Sequence, residues 1–380
     1  MNCRERVQAA FEGRPVDRVP VVTTYQNLYY ADHFSELTGK PAWEMQRWLL
    51  ASPEEHVEIL RALYKQVPFD IVETGRAPSR DDRANIEFVE KDGRVFRHDK
   101  RHDTYQPLEP AAKSGHAHDY SPNETQFIFD KKDVDEQIKP WKAETHLADG
   151  CNDYVEAVVA AFGKDHFIVT AGMAATLYFC HTYVGLTNLF RMLAEEPDLI
   201  DYMSARILEL NIEYIRALAK AGGDAIFIDD ATATSDMISP RHYERFCLPY
   251  VREMVREIHR LGHKVFVVYY GGVADRLDLI AETGADGLLM ETSMKNYVND
   301  LATTAEKIGD RMTLFGNIDP VGILQNGTDA ELEAEIGRQI EAGRKARGFI
   351  LCTGSPITPS TPLSRVRKYI ELGRKLGRQG

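Results

Sequence analysis

The chain has 380 residues, 43% of them hydrophobic, and a formal net charge of −12 at pH 7. This length accommodates one large domain or two small ones. Because the surplus negative charge would repel nucleic acids and anionic membranes, the composition argues against both as partners and is typical of an ordinary enzyme.

The amino-terminal stretch, residues 1–13, has the pattern of a charged amphipathic helix and lacks the apolar centre of a secretory signal. No apolar run reaches the roughly 18 residues that a membrane span needs. The five cysteines are scattered and never spaced as CxxC, which predicts neither a disulfide framework nor a closed thiolate zinc site. We therefore expect a reduced, cytoplasmic, soluble protein.

Eight short apolar runs are the predicted strands. In chain order they are residues 18–24, 69–75, 166–172, 224–230, 264–272, 285–292, 311–319 and 348–354. Continuous apolar runs are typical of parallel strands that are covered on both faces, and the helical segments between them indicate βα units. Eight such units after an N-terminal helical segment predict an α/β fold of the (βα)8 TIM barrel type.

An open, doubly wound sheet is the alternative architecture, but no GxGxxG motif follows any predicted strand. The stretch of about 76–140 interrupts the alternation, and its sequence IEFVEKDGRVFRH predicts a hairpin that turns at Asp92-Gly93. We interpret this stretch as an insertion after the second strand, within one domain that spans 1–380. Four of its histidines are predicted to lie in solvated loops: His98, His102, His116 and His118.

Three ordered motifs are specific to one superfamily. They are GMAATLYFCHTYVGLTNLFRML (172–193), the SP…F…LPY pattern of residues 239–250, and GNIDP (316–320) followed by FILCTGSPITPSTP (349–362). The chain resembles the uroporphyrinogen decarboxylase superfamily, which includes decarboxylases of tetrapyrrole synthesis and cobamide-dependent methyltransferases. The resemblance covers nearly the whole chain. It implies a barrel whose active site lies at the carboxyl ends of the strands, in a protein that often forms a homodimer.

The decarboxylases of this superfamily carry an arginine-rich segment after the first strand, which binds substrate carboxylates. Tyr25 and Tyr29 occupy the matching positions here, and Ser355 replaces the family's histidine after the eighth strand. Asp70 and Glu73 are the nearby carboxylates, and neither clearly matches the family's acid. A tetrapyrrole rich in carboxylates would meet an uncharged aromatic wall, so the resemblance favours the methyltransferase branch.

The methyltransferases of this superfamily often hold zinc through an HxC motif at the end of the fifth strand and a later cysteine. The matching positions here are Val268, Tyr270 and Ser355, which are poor zinc ligands. Cys352 lies three residues before the last of these positions and is expected to be a packed strand residue. The sequence therefore argues against zinc and against a thiol-methylating role, and it leaves any other metal unassigned.

The carboxyl ends of barrel strands point into the active site, and this rule selects the candidate residues. Candidates for proton transfer are Asp229, Asp230, Glu291 and His181. Candidates for substrate binding are Tyr25, Tyr29, Glu73, Met173, Tyr178, Tyr270, Asn317 and Ser355. Tyr269 and Tyr270 are adjacent, so only one of them can face the interior, and the resemblance favours Tyr270.

Several candidates also have a purely structural interpretation. Asp229 or Asp230 could cap the following loop, and Glu73 could pair with Arg76. His181 could be a packed, hydrogen-bonded histidine rather than a catalytic one. The structure of the barrel mouth decides between these interpretations.

The main functional hypothesis is methyl transfer between a small, aromatic or methoxylated substrate and a corrinoid (cobalamin). The corrinoid would be free or supplied by a corrinoid-binding protein. Tyrosines suit a flat, apolar substrate, and an acid would protonate the departing alkoxide, phenolate or amine. The alternatives are a tetrapyrrole decarboxylase and a non-catalytic binding protein on the same scaffold. If the protein is an enzyme, we expect acids with shifted pKa values around a closed pocket. If it is a binding protein, we expect a wide polar groove.

Overall fold

The computed structural model describes residues 1–108, 126–294 and 296–378, and its strands form one parallel and one antiparallel sheet. The strands are β1 (Ile71–Thr74), β2 (Ile86–Lys91), β3 (Arg94–Asp99), β4 (Thr104–Pro107), β5 (Phe167–Ala174), β6 (Ala225–Asp229), β7 (Lys264–Tyr269), β8 (Gly287–Met290), β9 (Thr313–Phe315) and β10 (Phe349–Ile350). The parallel sheet has the order β1-β5-β6-β7-β8-β9-β10, so strands that follow one another in this sheet are also neighbours in space. Right-handed βα crossovers produce this order in a barrel.

Helices surround the parallel sheet. They are α1 (Cys3–Phe11), α2 (Gln26–Asp32), α3 (Phe34–Thr38), α4 (Glu44–Trp48), α5 (Pro53–Gln66), α6 (Arg80–Asn85), α7 (Lys131–Gln137), α8 (Ala143–Asp149), α9 (Asp153–Phe162), α10 (Thr176–Val184), α11 (Leu186–Glu195), α12 (Pro197–Ala219), α13 (Pro240–Phe246), α14 (Leu248–Arg260), α15 (Leu277–Ala281), α16 (Leu301–Ile308), α17 (Asp329–Gly343) and α18 (Leu363–Leu376), with a π-helix at Pro320–Gln325. None of the helices in the described ranges is both long and apolar enough to cross a membrane.

The first predicted strand closes the ring, although only residues 20–22 take part. The Val22 N–H donates to the Leu351 carbonyl and the Leu351 N–H donates to the Pro20 carbonyl, each at 2.9 Å. On the other side, the Asp70 N–H donates to the Val21 carbonyl at 2.9 Å. The segment therefore bridges the ends of the seven-stranded sheet, and the predicted (βα)8 barrel is confirmed.

A fully buried carboxylate, Asp70, secures this closure. It accepts two hydrogen bonds of 2.7 Å from Arg18, one of 3.1 Å from Arg6 and one of 2.8 Å from the Val21 N–H. Burial alone would raise the pKa of Asp70, but the hydrogen bonds from Arg18 and Val21 outweigh it and hold the pKa below its ordinary value. Asp70 thus stays ionised inside the protein and ties the first segment to β1.

The interior of the barrel is packed with phenylalanine rings. Phe11 of α1 enters it and lies 5.5 Å from the ring of Phe167 and 5.9 Å from that of Phe315. Phe266 stacks on Phe315 at 4.8 Å and on Phe227 at 5.5 Å. The predicted amino-terminal helix therefore plugs one end of the barrel, and the interior is a core rather than a channel.

The stretch of about 76–140 contains the antiparallel sheet β2-β3-β4. Asp92 and Gly93 both have positive φ, 51° and 71°, which confirms the predicted hairpin turn. His98 is wrongly predicted to lie in a solvated loop: it sits on β3, 9% exposed, and contacts Glu87 and Asp103. His102 is exposed in a turn, and His116 and His118 lie outside the described residues.

Candidate functional site

A cavity of about 610 Å³ opens at the carboxyl ends of β1, β5 and β6. Its walls come from α2, α4, α5, the start of α9, the residues after β1, and the inner faces of β5 and β6. They are mostly aromatic and aliphatic, and include Met45, Trp48, Leu60, Tyr154 and Phe227. A largely apolar pocket with a few polar groups is the usual form of a small-molecule site.

Tyr25 and Asp229 meet beside this cavity. The Tyr25 hydroxyl donates to Asp229 Oδ2 at 2.5 Å, and the other carboxylate oxygen, Oδ1, is buried without a hydrogen-bond partner. Burial raises the pKa of Asp229 to about 6, although the hydrogen bond from Tyr25 opposes this rise.

The backbone of Tyr25 adopts the left-handed conformation, with φ 50° and ψ 52°, which costs a non-glycine residue about 1–3 kcal/mol. Such local strain is typical of functional sites.

Glu73, near the end of β1, is the carboxylic acid among the residues that line the cavity. Its Oε2 accepts a hydrogen bond of 2.8 Å from the backbone N–H of Gln26, the first residue of α2. Burial nevertheless raises the pKa of Glu73 to about 8, so the carboxyl group is predominantly protonated at neutral pH. Its predicted alternative role as an ion-pair partner of Arg76 is not observed, because Arg76 pairs with Asp149 at 2.9 Å.

Asp230 is fully buried and both of its carboxylate oxygens lack a hydrogen-bond partner. It follows the last residue of β6, and the charged and phenolic groups around it are Asp229, Arg276, Tyr243 and Tyr269. Burial, with a contribution from the charge of Asp229, raises its pKa. Tyr243 and Tyr269 belong to the layer between barrel and helices, so Asp230 faces this layer and does not line the cavity.

Glu291, Asn317 and Ser355 form a second polar group at the mouth. Glu291 Oε1 accepts from the Ser355 hydroxyl at 3.2 Å, and Oε2 accepts from the Tyr297 hydroxyl. The Asn317 side chain donates to the Asn299 carbonyl at 2.8 Å and accepts from Gln339 at 3.2 Å. These buried bonds hold the loops after β8, β9 and β10 together, and none of the three predicted residues lines the cavity.

Two residues predicted to bind substrate lie in the helix-packed core instead. Met173 is 3% exposed and packs outside the barrel, because a register shift between Thr170 and Gly172 reverses the alternation of β5. Gly172 faces the cavity in its place. Tyr29 is 1% exposed and stacks on His33 at 4.3 Å, because its segment forms helix α2 rather than an extended loop.

His181 and Tyr178 lie together on α10. The ring of Tyr178 stacks on His181 at 4.9 Å, and His181 Nδ1 donates to the Tyr178 carbonyl, which places a proton on that nitrogen. Tyr178 is close enough to Tyr25 to affect its ionisation.

Tyr270 faces the barrel interior as predicted, with its ring 6.1 Å from that of Tyr25. Tyr269 faces outward, and its hydroxyl lies 2.8 Å from the Tyr243 hydroxyl.

Sequence reasoning missed the aromatic wall of the cavity. His56 is sandwiched between Trp48 at 4.8 Å and Tyr154 at 3.9 Å, and burial lowers its pKa to about 4. His56 is therefore an uncharged part of the wall at neutral pH. The N-cap Ser52 followed by Pro53 signals the start of α5, but nothing in the sequence indicates that this helix packs over the mouth.

The positions that the resemblance assigns to zinc do not fit a metal. Val268 is buried in the barrel interior, the Tyr270 hydroxyl is hydrogen-bonded to Thr24 at 3.3 Å, and Ser355 is bound to Glu291. Across the described ranges, no group of three or more His, Cys, Asp or Glu side chains is arranged to hold a metal ion. The geometry around these residues therefore gives no basis for a zinc-dependent step.

Gly172→Ala is expected to close part of the cavity. A Cβ atom at this position would lie 2.4 Å from the ring of Phe227, which would have to move toward the cavity. Such overpacking costs about 1–3 kcal/mol of unfolding free energy. Denaturant unfolding measures this loss. The control is Gly337→Ala in α17, where no atom lies within 4 Å and helix propensity should raise stability; equal effects of the two substitutions would refute the packing argument.

The buried acids predict a stability that declines with rising pH. Glu73 and Asp229 keep their protons in the folded state up to about pH 8 and 6, whereas their ordinary pKa values are 4.5 and 3.8. The folded state therefore binds more protons than the unfolded chain between these limits, so stability is lost as the pH rises through them. Thermal unfolding from about pH 5 to about pH 9 should show this decline, and Glu73→Gln should flatten it. An identical slope in the variant would contradict the assignment.

Comparisons with known proteins find relatives with two different names. The chain is 28% identical over 187 residues to the methylcobamide:CoM methyltransferase MtbA of Methanosarcina mazei, a match that covers 49% of this chain and 51% of that protein. It is 23% identical to the uroporphyrinogen decarboxylase of Alkalilimnicola ehrlichii, over 98% of this chain and 94% of that one. The chain thus spans about half the length of its MtbA relatives.

A solved structure and a family model extend these matches. A methyltransferase from Methanosarcina mazei superimposes with a TM-score of 0.67 at 20% identity, covering 99% of both chains, which establishes the shared fold. The model of the uroporphyrinogen decarboxylase family matches residues 116–376. The chain therefore belongs to the uroporphyrinogen decarboxylase family.

Proposed function

We propose that this protein is a corrinoid-dependent methyltransferase that moves a methyl group between a small, aromatic or methoxylated substrate and a corrinoid. The observation that carries this proposal is the aromatic cavity of about 610 Å³ next to Tyr25, Glu73 and Asp229. Flat apolar walls favour an aromatic ring, and the protonated acid Glu73 suits the departure of a basic oxygen or nitrogen. Acids with shifted pKa values beside a largely apolar pocket also support an enzyme over a binding protein on the same scaffold.

The charge of the cavity disfavours the alternative of a tetrapyrrole decarboxylase. Arg76 is the one arginine among the described residues that line it, and its guanidinium already pairs with Asp149. A substrate carrying many carboxylates needs several such cations, since each buried carboxylate must be paired. The decarboxylase remains the second candidate, because the relative that matches almost the full chain carries that name.

Of the four predicted proton-transfer residues, Asp229 is best placed for chemistry. None of the four is among the lining residues, but Asp229 accepts a hydrogen bond from Tyr25, which lines the cavity. In this proposal Asp229 orients the Tyr25 hydroxyl through their short hydrogen bond. Tyr270 and Tyr178 complete the polar edge of the site beside Tyr25.

The corrinoid is the second substrate of the proposed reaction, free or carried by a corrinoid-binding protein. Exposed apolar side chains on the loops after β6 and β8 support docking of such a protein over the mouth: Met237, Met294 and Val298. The chemistry the corrinoid supplies is that of a cobalt centre that accepts or donates the methyl group. All five cysteines are free thiols, which is consistent with a cytoplasmic location.

The test is methyl transfer to cob(I)alamin, followed by the absorbance of methylcobalamin. The protein is incubated with methyl aryl ethers, methylamines, methanol and methyl thioethers in separate reactions. We expect methylcobalamin to form with an aryl ether in proportion to enzyme concentration. Absence of any spectral change with all four donor classes, together with release of carbon dioxide from uroporphyrinogen, would replace this proposal by the decarboxylase.

A further inference from the structure

Glu73 differs from every other acid near the mouth in where its carboxyl group lies. Asp229 is held by Tyr25, Glu291 is held by Ser355 and Tyr297, and Asp230 faces the layer behind the barrel. Glu73 alone among these four belongs to the cavity wall. Resting on the proposed function, we propose that Glu73 is the general acid that protonates the oxygen or nitrogen atom that the methyl group leaves.

The backbone fixes the orientation of this carboxyl group. Oε2 accepts from the Gln26 N–H at 2.8 Å, and the Gln26 side chain donates to the Ile71 carbonyl at 2.9 Å, so α2 and β1 are joined at this point. The Tyr25 backbone also bonds this carboxyl group. In the proposed acid the proton is placed on Oε1, the oxygen that does not accept from Gln26. An anchored carboxyl group with its proton on the other oxygen is a pre-organised donor.

The surroundings keep Glu73 protonated at neutral pH. The titratable groups that face it are phenols, a thiol and one arginine that is paired elsewhere: Tyr25, Tyr30, Tyr64, Tyr270, Cys352 and Arg76. Burial raises the pKa values of these phenols and of the thiol, so they are uncharged. The Arg76 guanidinium pairs with Asp149. None of these groups therefore stabilises a Glu73 carboxylate, and the acid retains its proton.

Atoms and electrons balance when the substrate is a methyl aryl ether. The cobalt(I) of the corrinoid supplies an electron pair to the methyl carbon, and the bond between that carbon and the ether oxygen breaks. The oxygen keeps the pair of the broken bond and takes the proton from Glu73 Oε1, so the product leaves as a neutral phenol. The Glu73 carboxylate then regains a proton from water, and no further oxidant or reductant is needed.

Glu73 lies outside the residues that match the family model. Most residues that line the cavity, Glu73 included, precede residue 116, where the match to the family model begins. General acid assistance is worth about 100- to 10,000-fold in rate, and more for poorer leaving groups.

The experiment compares Glu73→Gln with the wild type on two methyl aryl ethers, one releasing a strongly basic phenolate and one releasing a weakly basic nitrophenolate. Glu58→Gln, an exposed glutamate on α5, is the matched control. We expect Glu73→Gln to lose about 100- to 10,000-fold in kcat with the basic leaving group and less than about tenfold with the nitro compound. In the wild type, kcat should fall as the pH rises past about 8. Equal losses on both ethers would overturn the assignment.

A binding measurement separates this inference from the proposed function. 4-Nitrophenol, whose phenolate is yellow, is titrated into the wild type and into Glu73→Gln over a range of pH. A neutral acid at Glu73 that donates to the phenolate oxygen stabilises the anion, so the apparent pKa of the bound phenol should be lowered in the wild type and lowered less in the variant, while Glu58→Gln should match the wild type. If no methyl transfer is found but this shift is present, the proposed function fails and the acid assignment stands; identical pKa values in both proteins overturn it.

Discussion

Asp70→Asn is expected to lower the free energy of unfolding by about 3–5 kcal/mol, the usual cost of removing one partner from a buried ion pair. Asp70 is 0% exposed, and its carboxylate accepts from Arg18, Arg6 and the Val21 N–H. An amide would leave two largely buried guanidinium groups without their shared negative charge. Asp70 directly precedes β1 and accepts from Val21, so the substitution should weaken the closure of the barrel.

The matched control for this prediction is Asp329→Asn. Asp329 also pairs with two cations, Arg365 and Lys368, but its side chain is 67% exposed. Solvent-exposed pairs contribute about 0–1 kcal/mol, so this variant should unfold almost like the wild type. Denaturant titration at neutral pH measures both. Similar, small losses in the two variants would mean that Asp70 does not secure the barrel.

Tyr25→Phe is expected to lower kcat by about 10- to 100-fold, since a hydrogen bond to a charged group contributes about 1.5–3 kcal/mol. The substitution removes the hydroxyl that donates to Asp229 Oδ2, and the other oxygen of this carboxylate already lacks a partner. The ring itself would stay between Phe227 and Tyr270. The loss should therefore appear mainly in kcat, with a smaller change in KM.

A double-mutant cycle tests whether Tyr25 acts through Asp229. If the two side chains work as a pair, Asp229→Asn and Tyr25→Phe combined should lower kcat little more than the worse single variant. The pH dependence of kcat gives a second readout, because loss of the Tyr25 donor should move the apparent pKa of Asp229 further above 6. Independent, multiplying effects on kcat would argue for separate roles.

The barrel could be predicted because each of its strands is a short apolar run between helical segments. The hairpin at Asp92-Gly93 could also be predicted, since two successive residues that tolerate positive φ favour a tight turn. The inward direction of Tyr270 followed from simple alternation along β7. Residues 18–24 show the limit of such patterns: their sequence predicts a full strand, but residues 20–22 supply the backbone bonds to Asp70 and Leu351 that close the barrel.

The site was harder to predict, because local irregularities decide which side chains enter it. Because of the register shift in β5, Gly172 lines the cavity and Met173 does not. No pattern in the sequence predicts a bulge at this point. Tyr29 turns into the core because its segment is helical. The wall formed by Trp48, His56 and Tyr154 depends on how α4, α5 and α9 pack over the mouth, which is a tertiary property that local patterns do not encode.

The most direct test of the central claim is a crystal structure of the protein soaked with a methoxylated benzene. We predict electron density for the aromatic ring inside the cavity, between Trp48 and Phe227, with the methoxy oxygen within hydrogen-bonding distance of Glu73. Density for the ring on another surface, with the cavity unoccupied at saturating ligand, would contradict it.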